Sequence, residues 1–134
     1  MARTPQKRKI TAPPVMEGFK PFGIPMSMLE PVILLYEEYE AIRLCDYDGL
    51  TQDQAAERME ISRPTLTRIY EKARRTIAQA FVEGKAIFIE GGNYHTDEHW
   101  YRCESCKKLL IEQVETEQCG YCHSTEIRKL NSNG

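Results

Sequence analysis

Apolar and polar positions alternate along this chain with different periods in different stretches. Leu35, Tyr39, Ile42 and Cys45 recur at helical spacing, which predicts a first helix from about Tyr36 to Asp46, broken by Asp48-Gly49. Glu37, Glu38 and Glu40 stand near its start, where the helix dipole favours acids. Thr51 and Gln54 form a capping-box pattern opening a second helix, with Ala55, Ala56 and Met59 as its buried side. Ser62 caps a third helix, and Pro64 is tolerated in its first turn. In that helix Leu66, Ile69, Tyr70, Ala73 and Ile77 share one face, and the end falls between Phe81 and Gly84. Ala86-Ile87-Phe88-Ile89 reads as a short strand closed by Gly91-Gly92.

The flanks behave differently. Six of the seven prolines fall in residues 1–31 (Pro5, Pro13, Pro14, Pro21, Pro25 and Pro31), which predicts an extended segment. Its first nine residues read as a mobile basic arm. Phe19 and Phe22 are expected to anchor its second half to the core, with a short strand there. From about Asn93 a second module begins, with Trp100-Tyr101-Arg102 and Leu109-Leu110-Ile111 as candidate strands beside the cysteines. The expected fold class is mainly α: a helix-turn-helix domain with a short β element, then a small β zinc-ribbon-like module. The expected boundaries are 1–31 for a basic, proline-rich arm, 32–92 for the helix-turn-helix domain and 93–134 for the four-cysteine module.

Charge changes the picture of partners. The net charge of the 134 residues is −2, which alone argues against nucleic acid. Yet residues 1–20 hold Arg3, Lys7, Arg8, Lys9 and Lys20 against Glu17, and residues 61–85 hold six basic residues against Glu71 and Glu83. Residues 30–60 carry nine acids against Arg43 and Arg58. Such segregation can present a basic face on a nearly neutral protein. A short capped helix, a tight turn and a longer capped helix form the helix-turn-helix pattern, whose second helix enters the major groove of double-stranded DNA. Arg63, Thr65, Thr67 and Arg68 stand at the start of that helix, where side chains meet base edges. Lys72, Arg74 and Arg75 suit phosphates, and the backbone N–H groups behind Ser62 suit one more.

Several stretches together resemble a known family. They are Phe19 to Pro25, Glu40 to Leu44, Gln54 to Met59, Ser62 to Ile69, Glu83 to Ala86 and Ile89 to Tyr94. In order, they look like the domain-of-unknown-function 134 family over roughly residues 1–95. These are bacterial and archaeal proteins predicted to bind DNA, similar in their helix-turn-helix to region 4 of sigma factors. The resemblance implies DNA binding but supplies no target. One position departs from the pattern: the family usually has glycine in the turn where this chain has Glu60, and a turn residue with positive φ favours glycine.

The cysteines carry the second chemistry. Cys103-x-x-Cys106 and Cys119-x-x-Cys122 are separated by 12 residues. Two such turns can close a tetrahedron around Zn²⁺, and a site filled by four protein ligands is structural. Tetrathiolate spacing also fits iron in a rubredoxin-like centre. Glycine commonly follows the second cysteine of a metal knuckle, but Lys107 and His123 stand there. His95, His99 and His123 are conceivable substitute ligands, and Cys45 is read as core packing. Paired cysteines fit a reducing cytoplasm. No apolar run is long enough for a membrane span, and no secretory signal is seen.

The leading expectation is therefore a DNA-binding transcriptional regulator with one Zn²⁺, for which a homodimer is open. The alternatives are a zinc-ribbon adaptor docking on a partner such as transcription machinery, and a metal or redox sensor. No G-x-S-x-G, phosphate-binding glycine loop or open metal site points to an enzyme.

Overall fold

The structure, a computed structural model, describes residues 7–25 and 30–131. Among these residues it contains eight short strands, three α-helices and one π-helical turn. The strands form three small sheets. The fold is thus a mixed α and β architecture, and the mainly-α class expected from the helical periodicity is corrected. The strands at Arg8–Lys9, Pro31–Leu34, Tyr94–His95 and Ile127–Lys129 escape notice because they are only two to four residues long, too short for alternation to register.

The chain divides into two compact units, Met1–Tyr94 and His95–Gly134. Strand β1 (Arg8–Lys9) pairs with β5 (Tyr94–His95), which straddles the division, and within the first unit a second sheet has the order β2-β4-β3. Strand β2 (Gly18–Phe19) runs antiparallel to β4 (Ala86–Ile89), and β3 (Pro31–Leu34) runs parallel to it, with Pro31 opposite Ala86 and Leu34 opposite Ile89. Parallel neighbours need a long crossover, and here all the helices provide it.

Helix α1 (Tyr36–Ile42) continues into a π-turn over Arg43–Tyr47, closed by the Asp48 N–H donating to the Arg43 carbonyl at 2.8 Å. Helix α2 (Gln52–Arg58) opens on the expected reciprocal cap: the Gln54 N–H donates to Thr51 Oγ1 at 3.1 Å, and the Thr51 N–H donates to Gln54 Oε1 at 3.0 Å. Helix α3 (Arg63–Glu83) is capped by Ser62 and ends at Gly84, whose φ of 69° is the left-handed conformation that closes a helix C-terminus. Ala41, Leu44, Ala55, Ala56, Met59 and Leu66 make the core between the three helices, with Cys45, Ile69 and Tyr70 partly buried against it. The two alanines of α2 let its backbone approach α3 closely.

Three glutamates of α1, placed near the helix start where the dipole favours acids, are buried, which the dipole alone does not imply. Each has backbone or ionic partners, as burial of a charge requires. Glu37 accepts the Asn93 N–H at 3.0 Å and Glu38 accepts the Leu35 N–H at 2.9 Å. Glu40 accepts the Thr11 N–H at 3.0 Å and the Arg43 guanidinium at 2.9 and 3.1 Å. A side chain at Gly92 would collide with the Glu37 carboxylate, its Cβ falling 2.0 Å from Oε1.

These bonds also correct the reading of the N-terminal segment. Arg8 donates its N–H to Asn93 and Lys9 donates to Met59, so the chain is fixed from β1 onward rather than from Phe19. Ile10, Pro13 and Pro14 are its buried anchors, whereas Phe19 is mostly exposed and Phe22 fully so. Of the basic arm, Arg3 lies outside the described residues.

In the second unit, β6 (His99–Cys103) is the middle strand of an antiparallel sheet, between β7 (Leu109–Glu112) and β8 (Ile127–Lys129). Strands β6 and β7 match the expected pair. Trp100 is fully buried, and its backbone N–H donates to the buried Asn131 Oδ1 at 3.0 Å. No helix among the described residues is long and apolar enough to cross a membrane.

Candidate metal centre and basic helix face

The core of the second unit consists of Tyr101, Cys103, Leu110 and Cys119, with Cys106 and Ile127 packed on it. Half of this core is cysteine. Small units of this kind commonly draw folding energy from a bound metal.

The sulfurs of Cys103, Cys106, Cys119 and Cys122 all lie within 4.8 Å of one another. Cys103 and Cys122 are 3.5 Å apart, and Cys106 and Cys119 are 3.7 Å apart. A tetrahedral zinc tetrathiolate with bonds of about 2.3 Å puts its sulfurs about 3.8 Å apart, so the donor set fits such an ion. The two loops that carry the pairs repeat one hydrogen-bond pattern. In the first, the Lys107 N–H donates to the Cys103 carbonyl at 3.0 Å and the Cys103 N–H donates to Lys108 at 3.0 Å. In the second, the His123 N–H donates to the Cys119 carbonyl at 3.0 Å and the Cys119 N–H donates to Ser124 at 2.8 Å.

Backbone donors also point at sulfur. The Cys106 N–H reaches Cys103 Sγ at 3.4 Å, and the Tyr121 and Cys122 N–H groups reach Cys119 Sγ at 3.3 and 3.5 Å. The Cys106 N–H, with help from Ser105 and the neighbouring thiols, lowers the Cys103 thiol to about 6. The Cys122 N–H lowers Cys119 in the same way. Cys122 feels a lowering from the Ser124 N–H, but desolvation and the other three thiols hold it up at about 11. Thiolates are the metal-binding form, so donors aimed at Cys103 and Cys119 favour coordination. None of His95, His99 and His123 joins this cluster; the ring of His99 lies 3.3 Å from Lys129 Nζ.

The residues read as DNA contacts lie on the outer side of α3, but they are not equally available. The Ser62 hydroxyl accepts the Thr65 N–H at 3.4 Å as cap and donates to Thr65 Oγ1 at 2.9 Å. The Arg68 guanidinium donates to Thr65 Oγ1 at 3.3 Å. Thr67 is half-buried and donates its hydroxyl to Gln52 Oε1, so it ties α3 to α2 instead of presenting a free hydroxyl. Arg63 pairs loosely with Asp53 at 3.3 Å, both exposed.

Further along, the acids of residues 30–60 lie beside the bases of α3 instead of forming a separate pole. Lys72 lies 3.6 Å from the buried Glu38 carboxylate. Arg74 lies 3.9 Å from Asp46 and sits over the Tyr70 ring at 5.3 Å, while the Tyr70 hydroxyl donates to Asp46. That bond and burial raise the Tyr70 pKa above its usual value. Sequence reading missed this clamp because the π-turn, which swings Asp46 toward α3, leaves no mark in periodicity. Arg75 points to solvent with no acidic partner among the described residues.

The turn between α2 and α3 contains Glu60 at φ 58°, the left-handed conformation expected at that position. Its carboxylate lies 3.7 Å from Lys9 Nζ. Lys9 and Arg58 therefore border the same turn, and Arg58 was not singled out from sequence.

A UPF0251 protein of Thermoanaerobacter pseudethanolicus is 54% identical over 94 residues, covering 70% of this chain and 80% of that one. A UPF0251 protein of Chloroherpeton thalassium is 43% identical over 132 residues, covering 97% of this chain and 87% of its own length. One from Moorella thermoacetica is 44% identical over 128 residues, covering 95% and 86%. No solved structure matches. The family described as Protein of unknown function DUF134 matches residues 1–97, and the chain belongs to that family.

Proposed function

We propose that the protein binds double-stranded DNA through the first turns of α3 and acts as a transcriptional regulator. One observation carries this reading: two capped helices joined by a four-residue turn leave the N-terminus of a 21-residue helix exposed, with Arg63 and Arg68 on it. A helix presented this way fits the major groove, and arginine pairs bidentately with guanine. Thr65 steadies the Arg68 guanidinium, and Thr67 with Gln52 holds the two helices in register. At the Ser62 end Pro64 has no N–H and the Thr65 N–H is held by the cap, so the Arg63 N–H and the Lys72 ammonium are the groups that suit phosphates.

We also assign the four-cysteine site to one Zn²⁺ per chain, with Cys103, Cys106, Cys119 and Cys122 as ligands. The sulfur spacing and the closed donor set support a structural ion that completes the core of the second unit. A second reading, a docking role for this unit on a protein partner such as transcription machinery, is favoured by the exposure of Val114 and Tyr121 on its surface.

The test is selection of duplexes from a random library on purified, zinc-replete protein, followed by salt titration of a selected and a scrambled duplex. Enrichment of a common site with affinity that falls as salt rises supports the reading. No retention of any duplex at low salt overturns it.

A further inference from the structure

Helix α3 has an outward stripe that the core does not use and that the DNA-binding reading does not need. Phe81 is 87% exposed and Val82 is 79% exposed, both in the last turn. About two turns back along the same side lies a shallow concavity of about 560 Å³ lined by Glu71, Arg74, Arg75 and Ala78. These four positions have the spacing i, i+3, i+4, i+7. That is the spacing of the four residues that form a hole for a side chain from a facing helix.

A hole and a pair of apolar knobs therefore share one helix face. Two-fold symmetry requires the same patch on both partners to be self-complementary. We propose that the C-terminal half of α3 is the dimerisation surface, with Phe81 and Val82 of each copy seated in the concavity of a second copy.

The register follows from the geometry. The hole is centred between residues 74 and 75, and the knobs between 81 and 82. Antiparallel helices that match the two put the symmetry axis at residue 78. That residue is alanine, whose small side chain lets two helices approach at the crossing point. Charge supports the same arrangement. The hole is rimmed by the Arg74 and Arg75 guanidinium groups, and a cation over an aromatic face is favourable for Phe81. Arg74 already makes this kind of contact with Tyr70.

A consequence rests on the DNA-binding reading. With the axis at Ala78, the two copies of Thr67 lie about 33 Å apart along the helix direction, at 1.5 Å per residue. Two-fold DNA readers place their half-sites roughly 34–36 Å apart, one turn of the duplex. Arg75 then serves the contact between copies rather than a phosphate.

The experiment is sedimentation equilibrium of the full, zinc-replete chain without DNA, across about 1–100 µM. A monomer–dimer equilibrium is expected. Phe81→Lys sets a cation against Arg74 and Arg75 and should weaken the dimer at least about tenfold. Adding Arg75→Glu to Phe81→Lys restores opposite charges across the contact and should recover much of that loss. Because Phe81 is exposed, both variants should keep the parent's circular dichroism. A chain that stays monomeric throughout overturns the proposal, as does a dimer indifferent to Phe81→Lys. A dimer that responds as expected but retains no duplex upholds this proposal while the DNA-binding reading falls.

Discussion

Lys107 and His123 occupy the same place in two successive cysteine loops and share one backbone conformation, φ 65° in each. Each follows the second cysteine of its pair, and each donates its N–H to the carbonyl of the first cysteine. Side chains other than glycine rarely adopt this left-handed region, and holding one there typically costs about 1 kcal/mol. The loops hold this conformation without glycine because the two N–H bonds to the Cys103 and Cys119 carbonyls fix it. Lys107→Gly and His123→Gly should therefore each stabilise the second unit by up to about 1 kcal/mol. Thermal unfolding followed through the Trp100 fluorescence measures this. A lower midpoint in both variants would show that the side chains matter more than the backbone strain.

The metal assignment predicts about one zinc per chain by elemental analysis of protein purified without added metal. An excess of iron, which colours a tetrathiolate centre, would reject zinc and favour the sensor alternative. Cys106→Ser should lose the metal and the order of residues from about 95 onward. All three α-helices lie in the first unit, so the far-ultraviolet helical signal should survive. Its global loss would mean that the two units unfold together.

These two sites differ in how far they could be read in advance. The caps at Thr51 and Ser62, the cysteine quartet and the strand over Ala86–Ile89 rest on local rules, and local rules are visible in a single chain. The glycine preference at Glu60 was legible for the same reason, and φ there is 58°. The burial of Glu37, Glu38 and Glu40 was not legible, because beside the local Leu35 N–H and Arg43 guanidinium it depends on the Asn93 and Thr11 N–H groups, 56 and 29 positions away, and on Lys72 of another helix. Acids in a sequence suggest solvent unless those partners are known. Phe19 and Phe22 failed in the opposite sense: aromatic residues suggest a core, but Ile10, Pro13 and Pro14 fill that place.

Glu37 carries a pH dependence whose sign is unusual for a carboxylate. Burial raises its pKa above 4.5, and the Asn93 N–H offsets this only in part. The folded chain then binds the proton more tightly than the unfolded chain does. This group's contribution to stability is full below 4.5 and is lost as pH rises through its folded value. Glu37→Gln keeps an oxygen for the Asn93 N–H and removes the desolvated charge. Denaturant unfolding should show the variant no less stable than the parent at pH 7, and the difference should shrink as pH falls toward 4.5. A large loss at pH 7 would show that the negative charge itself is needed, for instance against Arg8.

The Glu60 turn offers a check on the link between helices α2 and α3. Glu60→Gly relieves the left-handed strain and gives up an exposed pair with Lys9, of the kind worth at most about 1 kcal/mol. The expected result is a small gain or no change in the thermal midpoint of the first unit. A clear loss would indicate that the Lys9 contact fixes β1 to the turn.

Arg68 and Lys72 stand one turn apart on α3, and on the DNA-binding reading they should fail in different ways. Arg68 is exposed near the helix start, with its guanidinium steadied by Thr65. Lys72 carries a flexible ammonium already drawn toward Glu38. Arg68→Ala should cost about 1–3 kcal/mol on a selected duplex and much less on a scrambled one, so selectivity falls. Lys72→Ala should weaken both duplexes by a similar factor and reduce the salt slope by about one ion. Equal losses on both duplexes for Arg68→Ala would move Arg68 from base to phosphate. If Arg63, Thr65 and Arg68 can all become alanine without altering either affinity, α3 does not read DNA. The exposed surface of the cysteine unit then becomes the place to look for a partner.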